Sequence, residues 1–198
     1  MSEDFTQLQK VQRFVLDLIK VQRNHLIPGD ERRENVVEHS FSTAMICWRL
    51  FEMTNPPLSI EKIMKYAIVH DSLERGQRFD VNTYAGESER NIKKEYEKKE
   101  LIKLNKEFED FTDFVNMLNI YEKLPDDEAI FVWSADKIQH IILGSIDNWR
   151  PYASYGVSYD QFCEKGEDIF NKCSPYLKKV LSGILKESKK KYYDRPKL

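Results

Sequence analysis

Apolar residues recur at intervals of three and four along most of this chain, and that periodicity favours helices. In the first segment, the residues that follow it are Phe5, Leu8, Val11, Val15, Leu18 and Ile19. We find no stretch that alternates apolar and polar residues in the way typical of a half-buried strand. The sequence therefore predicts an all-α fold.

Cap and turn residues divide the pattern into successive helices. The predicted spans are about 5–23, 35–53, 59–76, 87–108, 112–121, 128–149, 158–173 and 175–192. Asn35 and Ser59 are predicted N-caps, Gly76 ends the third helix, and Pro175 opens the last one. The helix over 87–108 is dense in Lys and Glu with a thin apolar stripe, which predicts an exposed surface helix, with a coiled-coil arm as the alternative.

Length and composition predict one compact domain. The 198 residues contain no internal repeat or long linker, so we expect a single domain over 1–198, with a core at about 5–150 and C-terminal helices at about 158–192. A net charge of −2 gives no global attraction for nucleic acid, and no apolar run approaches the ~20 residues of a membrane span. Three cysteines without a Cys-x-x-Cys pair, and an N-terminus unlike a signal peptide, lead us to expect a cytoplasmic protein.

Three predicted helices each interrupt their apolar pattern with residues that bind metals. They carry His39, the pair His70 and Asp71, and Asp136. Burying such groups costs several kcal/mol unless charge or hydrogen bonds compensate them, and a dication does so. Mixed imidazole and carboxylate donors suit Mn, Fe, Co, Ni or Zn. We therefore predict a site for one divalent metal, which in a protein with room for water beside the ion is typical of a hydrolase.

Each residue taken alone also has a plainer interpretation. His39 fits a satisfied core histidine, and Asp136 fits an N-cap or a partner of Arg49. His140, one turn after Asp136, fits either a place beside the metal or a packing role. Since the chain has only four histidines, a binuclear site with several extra imidazoles is not predicted.

Three motifs together resemble the HD-domain metal-dependent phosphohydrolases, and most closely their bacterial 5′-deoxynucleotidase branch. Residues 32–40 (Arg-Arg-Glu-Asn-Val-Val-Glu-His-Ser) are similar to its Arg-x-Glu-Asn-Val-x-Glu-His-Ser signature. Residues 70–74 resemble its His-Asp-x-x-Glu motif, and residues 135–137 resemble its Ala-Asp segment. The similarity covers about residues 5–150 and implies an HD-type helical bundle.

The resemblance also implies roles for individual residues. The metal ligands would be His39, His70, Asp71 and Asp136. Glu74 would orient or deprotonate the attacking water, and Asp80, one residue further along than in the family pattern, would assist proton transfer.

The substrate contacts follow from the same comparison. The family has an Arg-Trp pair, with the Arg on phosphate and the Trp packed on the sugar. Here Arg23 would hold phosphate and His25 stands near the place of the Trp, while Arg78 would add positive charge. The missing Trp puts the deoxyribose preference in question.

The expected activity is removal of phosphate from a small nucleotide, in particular a deoxyribonucleoside 5′-monophosphate. One alternative is a deoxynucleoside triphosphate triphosphohydrolase, in which the basic 87–106 segment meets a longer phosphate tail. Another is a non-catalytic nucleotide-sensing HD domain, which the retention of Glu74 disfavours. The resemblance further implies a homodimer.

Overall fold

The computed structural model describes residues 2–77 and 86–193 as a bundle of helices with one small sheet. The helices are α1 (Glu3–Ile19), α2 (Val36–Thr54), α3 (Ile60–Val69), α4 (Glu87–Glu107), α5 (Thr112–Tyr121), α6 (Asp127–Ile146), α7 (Arg150–Ser154), α8 (Tyr159–Lys172) and α9 (Lys178–Tyr193). A 3₁₀ turn (Ser72–Glu74) follows α3, and strands β1 (Gln22–Leu26) and β2 (Arg33–Asn35) follow α1. The predicted all-α fold is confirmed.

Helix α6 lies at the centre of the bundle, as its apolar sequence predicts. It packs against α2, α3 and α9. Phe131, Val132, Ala135 and Ile138 on α6 are fully buried. A polar residue on this helix, such as Asp136, is therefore held deep inside the protein.

The prediction that the chain has no strand was wrong for the segment after α1. Here β1 and β2 form an antiparallel hairpin in which Gln22 is opposite Asn35 and Leu26 is opposite Arg33. Gly29 turns the chain with a φ of +81°. Strands of five and three residues are too short to show an alternating pattern. This hairpin also ends α1 at Ile19, earlier than predicted.

One other predicted helix end differs near the candidate site. Helix α3 ends at Val69, and the chain reaches Gly76 through the 3₁₀ turn. The ring nitrogen Nδ1 of His70 lies 2.9 Å from the Ala67 carbonyl oxygen, and Asp71 leaves the helical conformation with φ −107° and ψ 16°. The side chains of the His-Asp pair are thus presented from the end of a helix instead of from its side.

The C-terminal part also differs from the prediction. Helix α6 ends at Ile146, and the short α7 was missed, because Asn148 and Trp149 take up left-handed backbone with φ 49° and 62°. The Trp149 side chain is buried at this turn, so packing stabilises a conformation that propensity disfavours. Pro175 was predicted to open the last helix, but it lies in a turn and α9 begins at Lys178.

Helix α4 lies on the surface, as predicted. It packs against the 3₁₀ turn and α5, with Leu104 and Glu100 buried and most of its charged residues exposed. Glu100 is held by Arg75, whose Nε lies 2.6 Å from Oε1. Within the described residues, no helix is both long and apolar enough to cross a membrane.

Candidate metal centre

The structure brings the four predicted metal ligands together at the centre of the bundle. His39 comes from α2, His70 and Asp71 from the end of α3, and Asp136 from α6. His39 Nε2 lies 3.1 Å from His70 Nε2, 3.1 Å from Asp136 Oδ1 and 3.4 Å from Asp71 Oδ2. Three buried elements thus meet at one cluster of nitrogen and oxygen donors.

The contacts of the Nδ1 atoms of His39 and His70 show that the Nε2 atoms face the cluster. His70 Nδ1 donates to the Ala67 carbonyl at 2.9 Å, so the neutral ring presents the lone pair of Nε2 to His39. His39 Nδ1 lies 3.5 Å from Glu34 Oε2, which orients its Nε2 towards the cluster in the same way. Two lone pairs and two carboxylates facing one point fit a divalent ion, and the ring nitrogens of His39 and His70 with an Asp71 oxygen all lie within 4.8 Å of one another.

Charge at the cluster is concentrated on His39. Burial and the nearby Arg23 guanidinium oppose protonation of this imidazole, but the carboxylates of Asp136, Glu34 and Asp71 outweigh them and raise its pKa to about 9. Without a metal, His39 therefore carries a proton at neutral pH. That proton supplies part of the positive charge that a dication would bring.

The two carboxylates stay ionised despite their burial. Burial favours the neutral acid, but the charges of His70, Arg23 and His39 hold the pKa of Asp71 well below its usual range. Burial likewise opposes ionisation of Asp136, yet Lys137 and the neighbouring histidines lower its pKa strongly. Ionised, buried carboxylates are the form that binds a metal.

His140 is a further histidine at this cluster, and the sequence left its role open. His39, Asp136 and His140 form a second group whose donor atoms lie within 4.8 Å of one another. His140 Nδ1 donates to the Asp136 carbonyl at 2.9 Å, however, and its Nε2 lies 3.1 Å from Arg23 Nη2. Because both nitrogens have hydrogen-bond partners in the protein, the structure favours a place beside the ligands for His140.

Glu74 lies next to the cluster, in the turn that follows Asp71. It is 3% exposed, and its Oε1 accepts from Lys93 Nζ at 2.6 Å while its Oε2 accepts from Arg23 Nη1 at 3.3 Å. Arg23 Nη1 also donates to Asp71. Arg23 therefore links Glu74 to a predicted metal ligand.

Arg23 and His25 are brought to the site by β1. Both line the same cavity as Asp71, Glu74 and Asp136. The ring of His25 stands edge-on to His140 at 4.7 Å, and burial, aided by His140 and Arg23, lowers the pKa of His25 to about 2. His25 is therefore neutral at physiological pH. Arg78 and Asp80, the other predicted contacts, lie outside the described residues.

Sequence reasoning missed three charged residues at the site. Glu34 approaches His39, Lys93 binds Glu74, and Lys137 Nζ lies 2.7 Å from Asp136 Oδ2. Glu34 and Lys137 stood inside the motifs, adjacent to assigned residues, which was a usable signal. Lys93 gave none, because it is one of many lysines on a surface helix.

A cavity of about 150 Å³ adjoins the cluster. One end is charged and the other is apolar. At the charged end lie Arg23, Asp71, Glu74, Lys93, Asp136, Lys137 and His140. The apolar end is formed by residues of α6 to α9 and of the segment between α7 and α8, and Lys165 of α8 lines the cavity beside them.

Comparisons with solved structures give the same fold. One from Magnetospirillum magnetotacticum MS-1, named a predicted metal-dependent phosphohydrolase, aligns with a TM-score of 0.74 and 21% identity over 96% of this chain and 98% of that one. The PH0347 protein of Pyrococcus horikoshii OT3 aligns with a TM-score of 0.63 and 24% identity over 90% and 98% of the two chains. No curated protein matches the sequence.

The family comparison covers most of the chain. Residues 16–178 match the HD domain family, and this range contains α2, α3 and α6, which supply the four clustered side chains. The chain therefore belongs to the HD domain family.

Proposed function

We propose that this protein is a metal-dependent phosphohydrolase that removes phosphate from a deoxyribonucleoside 5′-monophosphate, as in the 5′-deoxynucleotidase branch. The observation that carries the proposal is the cluster of His39, His70, Asp71 and Asp136, with the buried Glu74 beside it. The three carboxylates of this group line one cavity. Support also comes from the Magnetospirillum protein with this fold, which is named a predicted metal-dependent phosphohydrolase.

In this proposal a bound divalent ion supplies Lewis-acid polarisation of the phosphoryl group. His39, His70, Asp71 and Asp136 would hold it. Glu74 would orient the attacking water and accept its proton at a carboxylate oxygen. The Glu74 carboxylate is suited to this role because Lys93 and Arg23 hold it in a fixed position.

The cations at the charged end are suited to binding a phosphate. Arg23 and Lys93 both line the cavity, and each already bonds a carboxylate of the site. An incoming phosphate would share these donors through short, charge-assisted hydrogen bonds. Asp80 is proposed, from the resemblance alone, to assist the leaving 5′-oxygen.

The balance of charge favours a monophosphate over the triphosphate alternative. Among the described residues at the charged end, four carboxylates are paired with three cations: Glu34, Asp71, Glu74 and Asp136 with Arg23, Lys93 and Lys137. A divalent ion with neutral histidines leaves one excess positive charge. A phosphate monoester, with a charge of about −2 at pH 7, nearly balances it, whereas a triphosphate would leave a larger uncompensated charge.

The test is a substrate panel with the protein loaded with Mn²⁺ or Co²⁺. Ribo- and deoxyribonucleoside mono- and triphosphates are incubated with it, and free phosphate and triphosphate are measured separately. Free phosphate from deoxyribonucleoside monophosphates supports the proposal, and release of triphosphate would replace it with the alternative. Tight nucleotide binding without any turnover would identify a sensor.

A further inference from the structure

The apolar end of the cavity has no role in the proposed chemistry. We call it the apolar chamber, and it consists of Ile141, Pro151, Tyr152, Val157, Phe162, Ile169 and Leu185. These residues come from α6, α7, α8 and α9 and from the segment between α7 and α8. The chamber is continuous with the charged end, so a single ligand can occupy both.

The chamber walls are held firmly by aromatic packing. Phe162 stacks on Tyr192 with ring centroids 4.4 Å apart and an angle of 8° between the planes. Trp149 stands edge-on to Phe162 at 5.0 Å and to Tyr152 at 5.4 Å. Tyr152 also meets His25 at 6.1 Å, which places it at the junction between the chamber and the charged end.

Gly166 allows α8 and α9 to pack closely where they border the chamber. It lines the cavity, and a Cβ atom at this position would come within 3.0 Å of Leu185 Cδ2. Any side chain here would push Leu185 aside or project beside it. The glycine thus lets the Leu185 side chain of α9 lie directly against α8 at the edge of the cavity.

Polar residues also line the cavity beside the chamber, among them Asn24, Tyr155 and, on α8 next to Gly166, Lys165. The side-chain oxygen of Asn24 accepts from Arg33 Nη1 at 2.9 Å and from the Tyr155 hydroxyl at 3.0 Å. Lys165 has Asp168 at 3.7 Å. The seven chamber residues contribute one polar side-chain group, the Tyr152 hydroxyl, so the chamber offers little that could read the hydrogen-bonding edge of a ligand.

From this division we infer that the apolar chamber binds the organic part of the substrate by packing, so the substrates are phosphomonoesters of compact apolar or aromatic groups. This inference rests on the proposed function, because the phosphate would occupy the charged end. The face of a nucleobase and a simple aryl group share the required chemistry. Small polar esters such as sugar phosphates lack it.

Two phosphonates that resist hydrolysis test the chamber by binding alone. Titration calorimetry with the Mn²⁺-loaded protein compares benzylphosphonate with methylphosphonate. Burial of the phenyl ring predicts that benzylphosphonate binds at least about tenfold more tightly, with a more negative heat-capacity change. Equal affinities would overturn the inference while leaving the phosphate site intact. Binding of neither phosphonate would instead count against the proposed function.

Neighbouring residues on α9 give a matched pair of variants. Leu185 lines the chamber, whereas Ile184 is half-buried and does not line the cavity. Leu185→Phe should abolish the preference for benzylphosphonate and leave methylphosphonate affinity unchanged, and Ile184→Phe should alter neither. If Leu185→Phe lowered the affinities for both phosphonates equally, the chamber would not be the site that binds the phenyl ring. If Leu185→Phe does not fold, the comparison of the two phosphonates on the wild-type protein still tests the inference.

Rates of hydrolysis then distinguish a nucleobase from a simple aryl group as the part of the substrate that occupies the chamber. The four deoxyribonucleoside 5′-monophosphates, phenyl phosphate and glucose 6-phosphate are compared by kcat/KM. The inference predicts that the four bases agree within about tenfold, since packing does not read base edges, and that glucose 6-phosphate is the poorest substrate. Phenyl phosphate turned over as well as the nucleotides would identify a general aryl site. A preference for one base above about 100-fold, or for the sugar phosphate, would overturn the inference.

Discussion

At the scale of single residues, the proposed function depends on the different partners of Asp71 and Glu74. Asp71 faces His39 and is also bonded by Arg23. Glu74 is bonded by Arg23 and Lys93 instead. The two carboxylates are three residues apart, yet the proposed function assigns one of them to the metal and the other to the attacking water.

Replacing Asp71 by Ala should remove metal binding and activity together. The substitution deletes a donor atom and removes one of the carboxylates that Arg23 bonds. We expect Mn²⁺ affinity to fall by at least about 100-fold, measured by titration calorimetry, with a parallel loss of phosphate release. Normal Mn²⁺ binding in the variant would exclude Asp71 as a ligand.

Replacing Glu74 by Gln should separate metal binding from turnover. The amide keeps the shape of the side chain but cannot accept a proton, so we expect kcat to fall by about 100-fold while Mn²⁺ affinity changes little. Glu97→Gln is the matched control, because Glu97 is another carboxylate near Lys93, at 3.7 Å, and does not line the cavity. Loss of metal affinity equal to the loss of kcat would contradict the role of Glu74.

At the scale of elements, the start of α2 positions the site. Asn35 Oδ1 accepts from the backbone nitrogens of Val37 and Glu38, both at 3.0 Å, and Glu38 Oε2 accepts from Asn35 N at 3.0 Å. This capping box fixes the point at which β2 becomes α2. It therefore also fixes Glu34 relative to His39, one turn further along.

Replacing Asn35 by Ala should loosen this junction. We expect a loss of about 1 kcal/mol in the free energy of unfolding, measured by urea denaturation, with weaker Mn²⁺ binding because Glu34 no longer orients His39. Asn35→Asp keeps an accepting oxygen and should restore most of both quantities. If the alanine variant matched wild type in stability and affinity, the cap would have no part in the site.

At the scale of the whole molecule, the buried charge couples metal binding to stability. His39 has a pKa of about 9 in the folded, metal-free protein against 6.5 for an unperturbed histidine. Between these values the folded chain holds a proton that the unfolded chain has lost. Folding therefore takes up a proton in this window, and stability falls as the pH rises.

The melting temperature of the metal-free protein should accordingly fall between pH 6.5 and 9. The His39 contribution is present below pH 6.5 and is lost as the pH rises through about 9, a change on the order of 3 kcal/mol. The lowered pKa values of His25 and His70 act only below pH 6.5, outside this window. In the Mn²⁺-loaded protein His39 is neutral because it binds the metal. The melting temperature of this form should therefore not fall in the same pH range. Identical pH profiles for both forms would refute the coupling.

The expected homodimer, the single-domain organisation and the cytoplasmic location stay predictions. Sedimentation equilibrium of the purified protein over a range of concentrations measures the first of these directly. A constant mass twice that of the 23.6 kDa chain would support it, and a constant mass of one chain would exclude it.

The sequence by itself determined the helices and the types of donor at the centre. The bounds of α5 match the prediction, and those of α2, α4 and α8 match within a residue or so, since caps and apolar spacing act within a few residues. The His and Asp residues were visible because each breaks a local apolar pattern. Local signals therefore sufficed to name the candidate ligands.

Only the tertiary structure decided what surrounds them. Glu34 and Arg23 reach the site through a hairpin whose strands are too short for a sequence pattern, and Lys93 reaches it from a surface helix. The apolar chamber is formed by side chains of four helices and of the segment between α7 and α8, all of which look like ordinary core residues in the sequence. A cavity remains where the surfaces of neighbouring helices are not in contact. Its position follows from the long-range packing of the chain and not from any local sequence pattern.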